Sequence, residues 1–133
     1  MKLLKTATIT CVLLVAAFIV FGVYVSSEAE EYQVRLGKPL ESELGFAHGS
    51  PYIRNGESRL EVFTLHPVPG GALATAGVRN GDIPLDFGIT GLYKHLHRNR
   101  GSEVTIRVVD GGDGPPLEQR TVRNIVLRVP PAR

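Results

Sequence analysis

The sequence predicts a mainly β domain with two short helices, preceded by one N-terminal transmembrane helix. Three observations carry that reading. No charged residue occurs from Thr6 to Ser27. Beyond that stretch, apolar and polar residues alternate with period two, as in Val104-Thr105-Ile106-Arg107-Val108. The 15 glycines and 9 prolines of the 133-residue chain punctuate it at short intervals.

The apolar run comes first. Residues 7–25 read ATITCVLLVAAFIVFGVYV. As a helix they span roughly 28 Å, about the hydrocarbon thickness of a bilayer. Lys2 and Lys5 precede the run, and Glu28, Glu30 and Glu31 come after it. Lysines on the short N-terminal side place residues 1–25 as a cytoplasmic stub and anchor, with the remainder on the exported, periplasmic side. A cleaved signal is the competing reading, since Ser27-Glu28-Ala29 has small residues at cleavage spacing. Against it, the run exceeds the usual signal core of about 7–15 residues.

Lys2 and Lys5 account for the whole net charge of +2, so the exported part is neutral. With no Trp and no basic excess there, a nucleic-acid surface is not expected. The single cysteine, Cys11, excludes an intrachain disulfide and any multi-cysteine metal site. Residues 26–32 are small, polar and acidic, a linker. Residues 33–131 are left for one modest core.

Within that domain the elements run in order. Tyr32 to Leu36 reads as short and extended. Asn55-Gly56 is a turn signal that splits 46–66 into a hairpin. Leu60 to His66 is β-rich and stops at Pro67. Ala72 to Ala76 reads as a short helix ending at Gly77. Asn80-Gly81-Asp82 favours a tight turn, and Pro84 beyond it requires a sheet edge or bulge. Thr90 to Asn99 reads as the second helix, with Thr90 as N-cap and Gly101 past its end. Ile89, Leu92, Tyr93 and Leu96 form its apolar stripe. Ser102 to Val109 and Thr121 to Val129 are strands separated by the turn-rich Gly111-Gly112-Asp113-Gly114-Pro115-Pro116.

Two stretches together resemble a PDZ domain. Pro69-Gly70-Gly71-Ala72-Leu73-Ala74-Thr75-Ala76-Gly77-Val78-Arg79-Asn80-Gly81-Asp82-Ile83 is similar to that family's Ala-Gly…Gly-Asp-hydrophobic segment. Glu43-Leu44-Gly45-Phe46 resembles its carboxylate-binding loop. The resemblance implies a partly open antiparallel β-barrel or sandwich over residues 33–131 and a groove that takes a peptide as an added strand. It places Leu44, Gly45 and Phe46 at a backbone cradle for a terminal carboxylate. Phe46, Ala47 and His48 form the receiving strand, and Leu44, Phe46, Ile89, Tyr93 and Leu96 line a side-chain pocket. The chain departs from the family where Pro84-Leu85-Asp86-Phe87 succeeds Gly-Asp-Ile.

Each of these residues also suits the core of any small β domain. His95-x-His97 lies on diverging helix directions with no further ligand, so neither metal nor cofactor is expected. No nucleophile elbow or paired-carboxylate motif is present, and no enzymatic activity is expected. The expectation is a membrane-anchored adaptor that binds an envelope partner's peptide tail or exposed strand, in secretion or beside a protease. The alternatives are a structural subunit docking through another surface, or a secreted binding protein after signal cleavage.

Overall fold

The computed structural model describes residues 33–132 and, before them, Val15, Ala16 and Ile19. Among the described residues no helix is long and apolar enough to cross a membrane. The anchor expected at residues 7–25 falls outside them, save those three positions, which are helical and exposed. The chain divides into two units, residues 1–32 and 33–133. All the strands among the described residues belong to the second unit.

That unit begins with a π-helical turn, Gln33–Gly37. This corrects, over Gln33 to Leu36, the extended segment expected at Tyr32 to Leu36; Tyr32 lies outside the described residues. A helix the sequence reading missed comes next, α1 (Lys38–Leu44), with a proline in its first turn and no side-chain cap. Leu40 and Leu44, four apart on one face, are fully buried. Seven residues are too few to hold a helix unaided, so this burial is what stabilises α1. Gly45 ends it in the left-handed region at φ 70° and donates its N–H to the Glu41 carbonyl at 2.9 Å. A Cβ at Gly45 would stand 3.1 Å from Cα of Gly71, so the backbone passes close there as well.

The strands form three small antiparallel sheets, none closed into a barrel. β1 (Phe46–Gly49) pairs with β4 (Thr64–Pro67). β2 (Tyr52–Asn55) pairs with β3 (Ser58–Glu61) across a two-residue loop. Gly56 occupies the first loop position at φ 67°, where a II′-type turn requires it. β5 (Ile83–Pro84), β6 (Glu103–Val109) and β7 (Arg123–Arg128) make the third sheet in that order. Pro84 thus lies on an edge strand, as its missing N–H demands. The single strand expected from Leu60 to His66 is two: the chain leaves β3 at Val62-Phe63 and changes sheets to become β4.

Two further helices complete the unit, making three α-helices among the described residues of this unit where two were expected. α2 (Ala72–Thr75) ends before Gly77, and α3 (Ile89–Arg98) carries the expected stripe, with Leu92, Tyr93 and Leu96 buried. The N-cap of α3 is Gly88, not Thr90, and its carbonyl accepts from Leu92. In β6, Val104, Ile106 and Val108 are buried while Thr105 and Arg107 are exposed. Ile125 and Leu127 do the same in β7. These faces, α1, α3 and Leu73 of α2 close one core. Ile53, Val62, Ile83 and Val109 make a second, smaller one.

The turn at Arg79–Asp82 stands where expected, entering β5. Asp82 N–H donates to the Arg79 carbonyl at 3.1 Å, and Arg79 N–H donates to the Asp82 carboxylate at 2.7 Å. Asp82 is only 2% exposed and receives Arg123 Nη2 at 2.5 Å. Burial works against the Arg123 charge, but the Asp82 and Asp110 carboxylates more than offset it and raise its pKa.

Candidate functional site

The residues expected to line a peptide groove lie together where α1, β1 and α3 meet. Their exposure divides them. Leu44, Phe46, Tyr93 and Leu96 are buried in the main core, and Ile89 is half-buried against it. Ala47 and His48 are exposed on β1, and Gly45 is half-buried at the end of α1. Most of the side chains expected to line the pocket are thus packed into the core. The backbone at Gly37 lies against the Tyr93 ring, where a Cβ would stand 2.4 Å from Cε2. Only glycine permits that approach.

The expected carboxylate cradle is likewise partly spent. Gly45 N–H closes the end of α1, and Leu44 is the last residue of that helix. Phe46 N–H is left. Strand pairing shows where it points. Val68 N–H donates to the Gly45 carbonyl at 2.8 Å, so 45–68, 47–66 and 49–64 are the hydrogen-bonded pairs of β1 and β4. The N–H and C=O groups of Phe46 and His48 face the opposite way, along an edge that no other strand occupies among the described residues.

A polar network that sequence reasoning missed borders this edge. Glu41 of α1 accepts the Tyr93 hydroxyl of α3. The same Oε1 accepts His48 Nδ1–H of β1 at 2.6 Å. Two donors converge on one carboxylate oxygen, which leaves the Tyr93 oxygen and His48 Nδ1 3.2 Å apart. Burial, and then the Glu41 carboxylate, raise the Tyr93 pKa far above its ordinary value. The three side chains tie α1, β1 and α3 together beside this edge. Nothing local in the sequence signals this, because Glu41 and Tyr93 stand 52 positions apart.

A second chain of contacts lies on the far side of β1. The Thr64 hydroxyl approaches His66 Nε2 at 2.9 Å and donates to the Gly49 carbonyl at 3.2 Å, while His66 Nδ1 meets Asn80 Oδ1 at 2.6 Å. Thr64 is buried, so the chain joins β1 and β4 to the 79–82 turn and offers no open nucleophile. His95 stacks on Phe87 with ring centroids 4.7 Å apart, and His97 is exposed. Among the described residues no three metal-ligating side chains converge. A cleft of about 290 Å³ opens at the β6–β7 connection, lined by Asp110, Asp113, Pro115 and Arg120 among others. The Arg120 guanidinium there is committed to backbone carbonyls.

Compared with protein families, curated proteins and solved structures, the chain matches none.

Proposed function

We propose that the chain is a non-enzymatic, membrane-anchored adaptor whose PDZ-like domain binds an envelope protein by accepting one of its segments as a strand along β1. One observation carries the reading: the unpaired backbone groups of Phe46 and His48, phased outward by the Gly45–Val68 hydrogen bond. A partner strand there completes two ladder pairs and extends the β1–β4 sheet. With Gly45 N–H committed to Glu41 and most of the expected pocket residues packed in the core, an internal extended segment suits the site better than a carboxy-terminal tail. Directionality then comes from the ladder, and the exposed Ala47 leaves room for the partner's side chains on that face.

The experiment places a photo-cross-linker at Ala47 of the full chain in membranes of cells that express it. His48→Pro removes one outward N–H without touching the β1–β4 ladder, and His48→Ala removes the side chain alone. Capture that survives His48→Ala and disappears with His48→Pro supports strand addition. Equal capture by both overturns it, and points to docking through another surface. The captured segment, synthesised as free acid and as amide, then separates a tail from an internal strand.

A further inference from the structure

β3 is a strand without a buried residue: Ser58, Arg59, Leu60 and Glu61 are all exposed. Its partner β2 is used on both edges. Arg54 N–H donates to Asp113 at 2.7 Å, and Gly114 N–H donates to the Arg54 carbonyl at 3.1 Å. β3 is used on one. Val62 N–H donates to the Pro51 carbonyl at 3.0 Å, which makes 51–62, 53–60 and 55–58 the hydrogen-bonded pairs. The N–H and C=O groups of Arg59 and Glu61 therefore face outward, two residues apart, with Leu60 between them.

We propose that this edge pairs with β3 of a second copy of the chain, antiparallel, about a two-fold axis at Leu60. The inference is independent of the β1 reading. Three features select a second copy as the occupant. The first is charge. In this register Arg59 of each copy stands opposite Glu61 of the other, giving two opposite-charge pairs from one sequence. The second is an unmet charge within the hairpin. Arg59 lies directly across from Arg54 and forms no ion pair among the described residues. Like charges so placed repel, and the second copy's Glu61 supplies the missing counter-charge. The third is the apolar centre. Leu60, 39% exposed, sits on the same face as the buried Ile53, at the rim of the smaller core. The axis brings the two Leu60 side chains together and extends that core across the join.

The ladder phase agrees. Pairs 59–61 and 61–59 become hydrogen-bonded, and 60–60 becomes the close, non-hydrogen-bonded pair. Four backbone hydrogen bonds then join two hairpins into one four-stranded sheet. Among the described residues, the free edges of β1 and β7 lack this property, because neither strand carries an acidic residue to oppose a basic one. The contact is small, of the transient class, so the test has to trap it.

Leu60→Cys is introduced into the full chain carrying Cys11→Ser, and mild oxidation is carried out in membranes. Opposed Cβ atoms in such a pair stand about 5 Å apart, close to disulfide reach. Glu57→Cys, at the exposed loop, is the register control. Its two copies lie roughly 20 Å apart in the paired sheet. Cross-linking at residue 60 and not at 57 is the expected result. Equal or greater cross-linking at 57 overturns the register, and none at 60 overturns the pairing. Adding Arg59→Glu or Glu61→Arg to the Leu60→Cys chain should each lower the cross-linked fraction about ten-fold by turning attraction into repulsion. Mixing these two variants, given tags of different size, should restore it in the mixed dimer, where every pair is again opposite in charge. Failure of the mixture to recover, with both tagged chains present and the thiols introduced at position 60 shown accessible to a maleimide, overturns the Arg59–Glu61 pairing.

Discussion

Behind the helices, fifteen side chains, from Leu40 to Val129, exclude water from one continuous core. Beneath the β2–β3 hairpin the buried cluster is Ile53, Val62, Ile83 and Val109, with Leu85 and Leu117 half-covered beside them. The first region is held by apolar burial, with contributions from all three helices of the unit. The second is held largely by polar clamps. Arg120 donates from Nε to Pro115 and from Nη1 to Asp110 and Gly112, and Nη2 reaches the Arg54 carbonyl at 3.3 Å. Asn55 Oδ1 accepts Leu117 N–H at 2.9 Å, and Gly56 N–H donates to the Gly114 carbonyl at 2.8 Å. The lesson is one of reach. A hairpin with one buried side chain cannot offset its own ordering entropy by burial, so main-chain bonds to a neighbouring loop fix it, and one of its edges stays free.

The comparison breaks most visibly if the large core is opened. Leu92→Ala in α3 should cost about 4 kcal/mol, near the upper end for such truncations, because a side chain 1% exposed among packed neighbours leaves a cavity that cannot collapse. Ile53→Ala should cost about 2 kcal/mol, because the hairpin above it can settle into the space. Urea unfolding of the full chain in detergent measures both. Equal losses would mean that the two clusters behave as one core.

A smaller effect separates clamps from burial. Arg120→Ala removes donors to four carbonyls, most of which water can reach, so the global loss should be about 1 kcal/mol. Its signature is local. Amide exchange at Gly56 and Gly114 should accelerate while that of Val104 to Val108 stays slow. Uniform acceleration would show that the hairpin does not open alone.

The same division governs what the sequence revealed. β6 and β7 were legible because each has one buried and one solvated face, and that contrast is written in alternation. The α3 stripe and the Gly81-Asp82 turn were legible for equally local reasons. α1 was not, because Leu40 and Leu44 supply one turn's worth of pattern and their burial depends on α3. The break between β3 and β4 was hidden because Leu60 to Thr64 has uniform β character, and only pairing with β2 on one side and β1 on the other divides it. At the candidate site, the outward groups of Phe46 and His48 stem from a strand the sequence did suggest. The close approach of Gly37 to the Tyr93 ring was not legible, since it joins residues far apart along the chain.

The smallest expected effect lies at that meeting point and is read through pH. Tyr93 is neutral in the folded chain, with a pKa raised by burial and by the Glu41 carboxylate above the ordinary 10.0. The unfolded chain loses this proton as pH passes about 10, while the folded chain keeps it. Above that pH the unfolded state therefore binds fewer protons, and stability falls as pH rises towards the folded-state value. The contribution is fully present below about pH 10. Tyr93→Phe removes the ionisation and should flatten that alkaline decline. At about pH 7 it should cost about 1 kcal/mol or less, because the ring still packs on Gly37 and Glu41 keeps His48. Unfolding of both forms from about pH 8 to about pH 11 decides the matter. If the two curves fall in parallel, another group governs the alkaline limb, and the α1–α3 junction is held by the ring alone.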